Sequence, residues 1–170
     1  MLVSASNEVR FMKKKTILPG FLSLLALCGI IAALLFPLGT GLTSSTGDAI
    51  IGYDLVFGNE AMQLNDPHGA MIAWFVLLLI AAFFGVIGAI TGFFGSKFGA
   101  FLNFLTGLIC AVCALLFFLS SVIAGSFWLQ NISNATVSLG WGDLAAGIAS
   151  AVAALLDLFV GVRGLMAKQH

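Results

Sequence analysis

The chain has 170 residues, of which 61% are apolar and only 8% charged, with seven basic side chains balancing seven acidic ones. A soluble domain carries about 25% charged residues, and so few charges cannot clothe a globule of this size in water. Lipid is therefore the expected solvent for most of the exterior, and neither the composition nor the net charge of zero supports a nucleic-acid partner.

A hydrocarbon core about 30 Å thick takes roughly 20 apolar residues of helix to cross. Four stretches are long enough, 16–38, 70–94, 98–124 and 141–165, joined by loops at 39–69 and 125–140 and a tight turn at 95–97. Runs like these satisfy their backbone in lipid only as helices, and no alternation marks a barrel strand. The expected fold is an all-α integral membrane protein, one domain over 1–170, built as a left-handed four-helix bundle with a small extracellular cap. Pro19 is placed in the first turn of the first span and Pro37 at its end, where neither disturbs a helix.

Lys13, Lys14 and Lys15 ahead of an apolar run also have the form of a secretory signal. The run is longer than a signal core and no Ala-x-Ala site follows it, while Leu27 before Cys28 breaks a lipoprotein box, so the first span is expected to stay. Met12 is an alternative initiator to Met1.

Threaded alternately, the spans put every Lys and Arg on one side: Arg10, Lys13, Lys14 and Lys15 before the first, Lys97 between the second and third, Arg163 and Lys168 at the end of the fourth. By the positive-inside rule that side is cytoplasmic, so both termini are expected inside a cell membrane. The first outer loop instead carries Asp48, Asp54, Glu60 and Asp66. In it Ile51, Tyr53, Leu55 and Phe57 alternate as in a half-buried strand, and 135–139 offers a second, shorter strand, so a small sheet drawn from both outer loops is expected. Tyr53, Asp54 and Phe57 form the candidate recognition loop. Asn131 and Asn134 open two glycosylation sequons, usable only in a eukaryotic secretory pathway. The Met-Lys-Lys-Lys start and the absence of outer cysteines look bacterial.

Helices in lipid associate through small residues that let backbones approach. Gly85, Gly88 and Gly92 on the second span, and Gly147, Ala154 and Gly161 on the fourth, make such faces, for packing within the bundle or against a protein partner or second copy. Asp157 reads as the only ionisable residue well inside a span, where insertion costs about 2.5–3.5 kcal/mol. It needs a partner or a proton. Arg163, six residues on, faces elsewhere on the helix, whereas Asn103 and Thr106 of the third span are candidates to share a polar site with it.

Asn103, Thr106, Cys110, Cys113 and Phe117 fall on one helical face. Cys110 and Cys113 spell a Cys-x-x-Cys of the kind used by membrane thiol oxidoreductases, but at mid-bilayer and without a second thiol pair they read as packing residues. His68 and His170 fall on opposite sides of the membrane, no metal-ligand spacing occurs, and no cofactor, metal or catalytic set is expected. The two helical pairs share no repeat.

Four spans, inner termini, a longer first outer loop with strand character and a shorter second one together resemble the layout of claudin-like tetraspan proteins. The Trp and paired Cys that mark the first outer loop of that family do not occur in 39–69, so the resemblance implies architecture and transfers no residue roles. Two functions fit the sequence: a non-catalytic accessory, scaffold or interaction component of the cell membrane, and, as the alternative, a small transporter or channel subunit with its acidic site at Asp157.

Overall fold

The computed structural model describes residues 2–58, 69–125 and 136–167, with side chains from Ile17 onward. The basic side chains at 10–15 and 168, Glu60, Asp66, both histidines, and Asn131 and Asn134 of the sequons lie outside what is described. In chain order the elements are α1 (Leu2–Leu35), a 3-10 turn (Phe36–Leu38), β1 (Thr40–Ser44), β2 (Ala49–Ile51), α2 (Asp54–Phe57), α3 (Gly69–Gly92), α4 (Lys97–Phe118), α5 (Ser120–Ile123), β3 (Val137–Leu139) and α6 (Trp141–Met166). Four segments, Ile17–Leu38, Gly69–Gly92, Lys97–Phe118 and Trp141–Met166, are long and apolar enough to cross a membrane.

Three expectations need correction. α1 starts well before the apolar run, so Pro19 lies inside a helix and removes one hydrogen bond from it. The third span stops at Phe118: Leu119 has φ −95° and ψ 1°, and the chain restarts as α5, whose first residue, Ser120, turns its hydroxyl to Asp143. The alternating segment 51–57 is not a strand. β2 ends at Ile51, and 54–57 coils into one helical turn that buries the adjacent Leu55 and Val56.

The sheet itself is present, in the order β2-β1-β3, antiparallel throughout. Its central strand pairs Leu42 with Ile50 on one side and with Leu139 on the other, so the two loops meet in one structure. Across β1 and β3 the Thr43 and Ser138 hydroxyls are 2.8 Å apart. This cap sits where α1 ends and α6 begins. At the opposite end Gly95, with φ +64°, takes the left-handed conformation that lets α3 reverse into α4 within four residues.

The long helices form a ring in which α6 packs on α4 and α1, and α3 completes the circuit between them. Unlike a soluble bundle it is apolar outside as well as within. Outward surfaces carry Phe21, Phe83, Leu115 and Leu155, all more than half exposed. The inward face of α6 holds Gly142, Asp143, Ala146, Gly147, Ser150, Ala153, Ala154, Asp157, Val160 and Gly161, with nothing bulkier than valine. The expected small-residue faces are thus filled by this chain's own helices: a Cβ added to Gly85 would meet Leu27 of α1 at 3.3 Å, and one added to Gly161 would meet the Phe104 backbone nitrogen at 2.6 Å.

The Gly161 contact is with backbone, which cannot swing aside. Gly161→Ala is expected to destabilise the bundle by about 1–3 kcal/mol through overpacking, although alanine is the better helix former by about 1 kcal/mol. Gly69→Ala, where the added Cβ meets nothing within 4 Å, is the control and should be neutral or stabilising. Thermal unfolding of both variants in one detergent reads the difference.

Candidate functional site

The interior polar groups gather at two levels. At the first, distant from the cap, the Asn103 amide donates to the Ser23 hydroxyl at 2.8 Å, and Ser23 passes its own hydrogen to the Pro19 carbonyl at 3.0 Å. This link joins α1 and α4, which stand at opposite corners of the ring. It passes the glycines of α3: the Asn103 side-chain oxygen occupies the space a Cβ on Gly88 would need, and Ser23 lies 3.7 Å from the Cβ position of Gly92. Thr106 turns its hydroxyl back to the Leu102 carbonyl at 2.9 Å, a local bond available to threonine in a helix.

Asp157 belongs to this level. Gly107 packs between Ala154 and Leu158 of α6, which brings Asp157 abreast of Thr106 and Gly107. Asp157 is 1% exposed, Asn103 and Thr106 0%, and both carboxylate oxygens of Asp157 and the side-chain oxygen of Asn103 accept no hydrogen bond. Arg163 does not turn toward it: its guanidinium is exposed and stands 5.9 Å over the Phe159 ring.

The second level lies beneath the cap, where the first turn of α6 brings a further acid, Asp143, into the interior. Asp143 is also 1% exposed. One of its oxygens accepts from Ser120 at 2.9 Å; the other lies 2.7 Å from where a Cβ of Gly52 would stand and 3.2 Å from that of Gly41. The carboxyl thus occupies room left by two glycines in the floor of the sheet. The signal that finds Asp143 in the sequence is its spacing, since Asp143, Ser150 and Asp157 recur every seven residues, two turns of helix, on one face.

The candidate recognition residues divide. Tyr53 is part of the cap's own fastening: its hydroxyl donates to the Leu34 carbonyl at the end of α1, and its ring lies 6.0 Å from Trp74 and 5.7 Å from Phe75. Asp54 accepts from the Ile51 amide at 3.1 Å and holds the turn after β2. Phe57 stacks on Tyr53 at 5.9 Å yet stays 65% exposed. Cys110 and Cys113 are fully enclosed, with the Cys113 sulfur directed at the Trp74 carbonyl, whereas Cys28 is exposed. Among the described residues no three His, Cys, Asp or Glu side chains come together as a metal site would require.

These features define a four-helix, multi-pass class of membrane protein with a few polar groups enclosed in its core and a small β-sheet cap. No family model matches the chain, and no curated protein or solved structure matches it either.

Tyr53 is the only tyrosine in the sequence, and burial raises its phenol above the usual 10.0. The folded state therefore holds this proton more tightly than the unfolded chain. That contribution to stability is complete below pH 10 and is lost as the pH rises through the folded-state value. An absorbance titration should show a phenolate midpoint above 10.0 that falls back to the ordinary value on denaturation. Tyr53→Phe removes the signal and, with the bond to Leu34, about 0.5–1.5 kcal/mol.

Proposed function

We propose that this chain is a non-catalytic, multi-pass component of the cell membrane that holds a folded extracellular cap in a fixed pose for another protein to engage. The observation that carries the reading is the construction of the cap. Strand β1 from the first loop is paired on one side by β2 and on the other by β3 from the second loop, and the sheet rests on helix ends through Tyr53 and over Asp143. Loops that only connect helices need no shared sheet, whereas a presented surface gains from one because its shape is set before binding. Charge supports the orientation: Lys97 and Arg163 sit at the ends of α4 and α6 away from the cap, and Asp48 and Asp54 belong to the cap.

Phe57 is the natural contact, being large, apolar, exposed and backed by the Tyr53 and Phe75 rings, which fix its position. A photo-crosslinking amino acid placed at Phe57 in the native membrane should give one discrete adduct, identifiable by mass spectrometry after affinity purification. Gly52→Val forces a side chain into the Asp143 carboxyl and the Pro37 backbone, and should abolish the adduct while the protein remains in the membrane. A diffuse smear of adducts, or one that survives Gly52→Val, would rule the cap out as the engaged surface.

A further inference from the structure

Asp157 takes no part in the cap, and its carboxyl has no hydrogen-bond partner in the packed face it belongs to. An acid near mid-helix in lipid costs about 2.5–3.5 kcal/mol to insert, and α6 bears that cost on a buried face where the neighbours one turn away are Ala153, Ala154, Val160 and Gly161. Its level in the bundle is short of donors. Ser23 and Thr106 give their hydrogens to backbone carbonyls, while the two oxygens of Asp157 and the one of Asn103 accept nothing. A divalent cation takes six or more oxygens, more than the three this level leaves free. A single hydrogen on a carboxyl oxygen supplies what is missing.

We propose that Asp157, on a level with Asn103, Thr106 and Ser23, is a proton-binding site inside the membrane, exchanging with the end of the bundle opposite the cap. The chemistry is the making and breaking of one O–H bond on a carboxylate oxygen, with the proton drawn from and returned to water at that end; no electron or other group moves. At 1.5 Å per residue Asp157 lies about 13 Å along α6 from Met166 and about 24 Å from Trp141. The end near Met166 is thus the nearer of the two.

The ionisable groups on the surrounding helices are few. From Ile17 onward α1 has Cys28, which is exposed; α3 has none; α4 has Lys97, exposed at its start, with Cys113 enclosed and the enclosed Cys110 thiol near enough to Asp157 to feel its charge; α6 has Asp143 and the exposed Arg163. No described cation is enclosed with Asp157, so the proton is the charge that balances it.

The test uses the full chain in lipid vesicles and dicyclohexylcarbodiimide, an apolar reagent that adds to a carboxylic acid only in its protonated form. Peptide mapping by mass spectrometry is expected to locate one adduct at Asp157, with a yield that falls as the pH of the medium is raised. The adduct should be lost in Asp157→Asn and kept in Asp143→Asn. The wild-type labelling stands even where a variant fails to fold. Absence of an adduct at Asp157 at every pH would overturn the proposal. So would a yield indifferent to pH, which marks a locked structural acid, or protection by sodium at constant pH, which marks a cation site.

Discussion

The contact on which the rest of this structure depends is the approach of α6 to the backbone of α4, with Gly161 against Phe104 and Gly107 against Leu158. Lipid tails are as apolar as leucine, so burying leucines between helices gains little there, and association rests on close dispersion contact and on polar groups that find one another. α6 is suited to this because its inward face is almost bare of bulk. Closeness at one contact sets the level of everything else on the helix, including both aspartates. It also draws the start of α6 beneath the sheet, where Gly142 leaves room for the Phe36 carbonyl.

Cap and bundle consequently share a wall. The Asp143 carboxyl belongs to the bundle by its helix and to the cap by its surroundings, and its one partner, Ser120, stands at the break that ends the third span. A charged side chain at a helix start on a membrane surface would ordinarily be solvated. Here the glycines of β1 and of the residue after β2 let the sheet settle over it. The cap is thus an extension of the bundle's packing beyond the helices, in contrast to a loop folded on its own account.

Much of this was legible in the sequence because helices in lipid announce themselves by length and hydropathy, and their contact faces by small residues at spacings of three and four. The third-span face of Asn103, Thr106, Cys110, Cys113 and Phe117 is buried throughout. The cap was legible in part. Strand β3 falls in the expected stretch, but β1, Thr-Gly-Leu-Thr-Ser, has no strong alternation and is a strand because β2 and β3 pair with it, a tertiary cause invisible locally. The segment 51–57 misled because apolar residues at 53 and 57 suit a single helical turn as well as they suit period two, and Asp54 in a first turn favours the helix. The burial of Asp143 is hard to read for the same kind of reason. An acid in the first turn of a helix is so ordinary at a surface that its burial shows only through the seven-residue echo with Ser150 and Asp157.

The hydrogen bond from Asn103 to Ser23 carries a consequence for how the molecule is made. It joins two helices at opposite corners of the ring, so no hairpin of neighbouring helices can form it. As α3 and α4 enter the bilayer as a pair, the Asn103 amide has no Ser23 to meet, and an amide facing lipid is an open invitation to any other polar helix nearby. Only when α1 has come against the α3–α4 pair does Asn103 reach across, past the glycines of α3, to Ser23. The bond therefore reports that the first three spans have come together, and a chain stalled before that point displays its asparagine to the membrane.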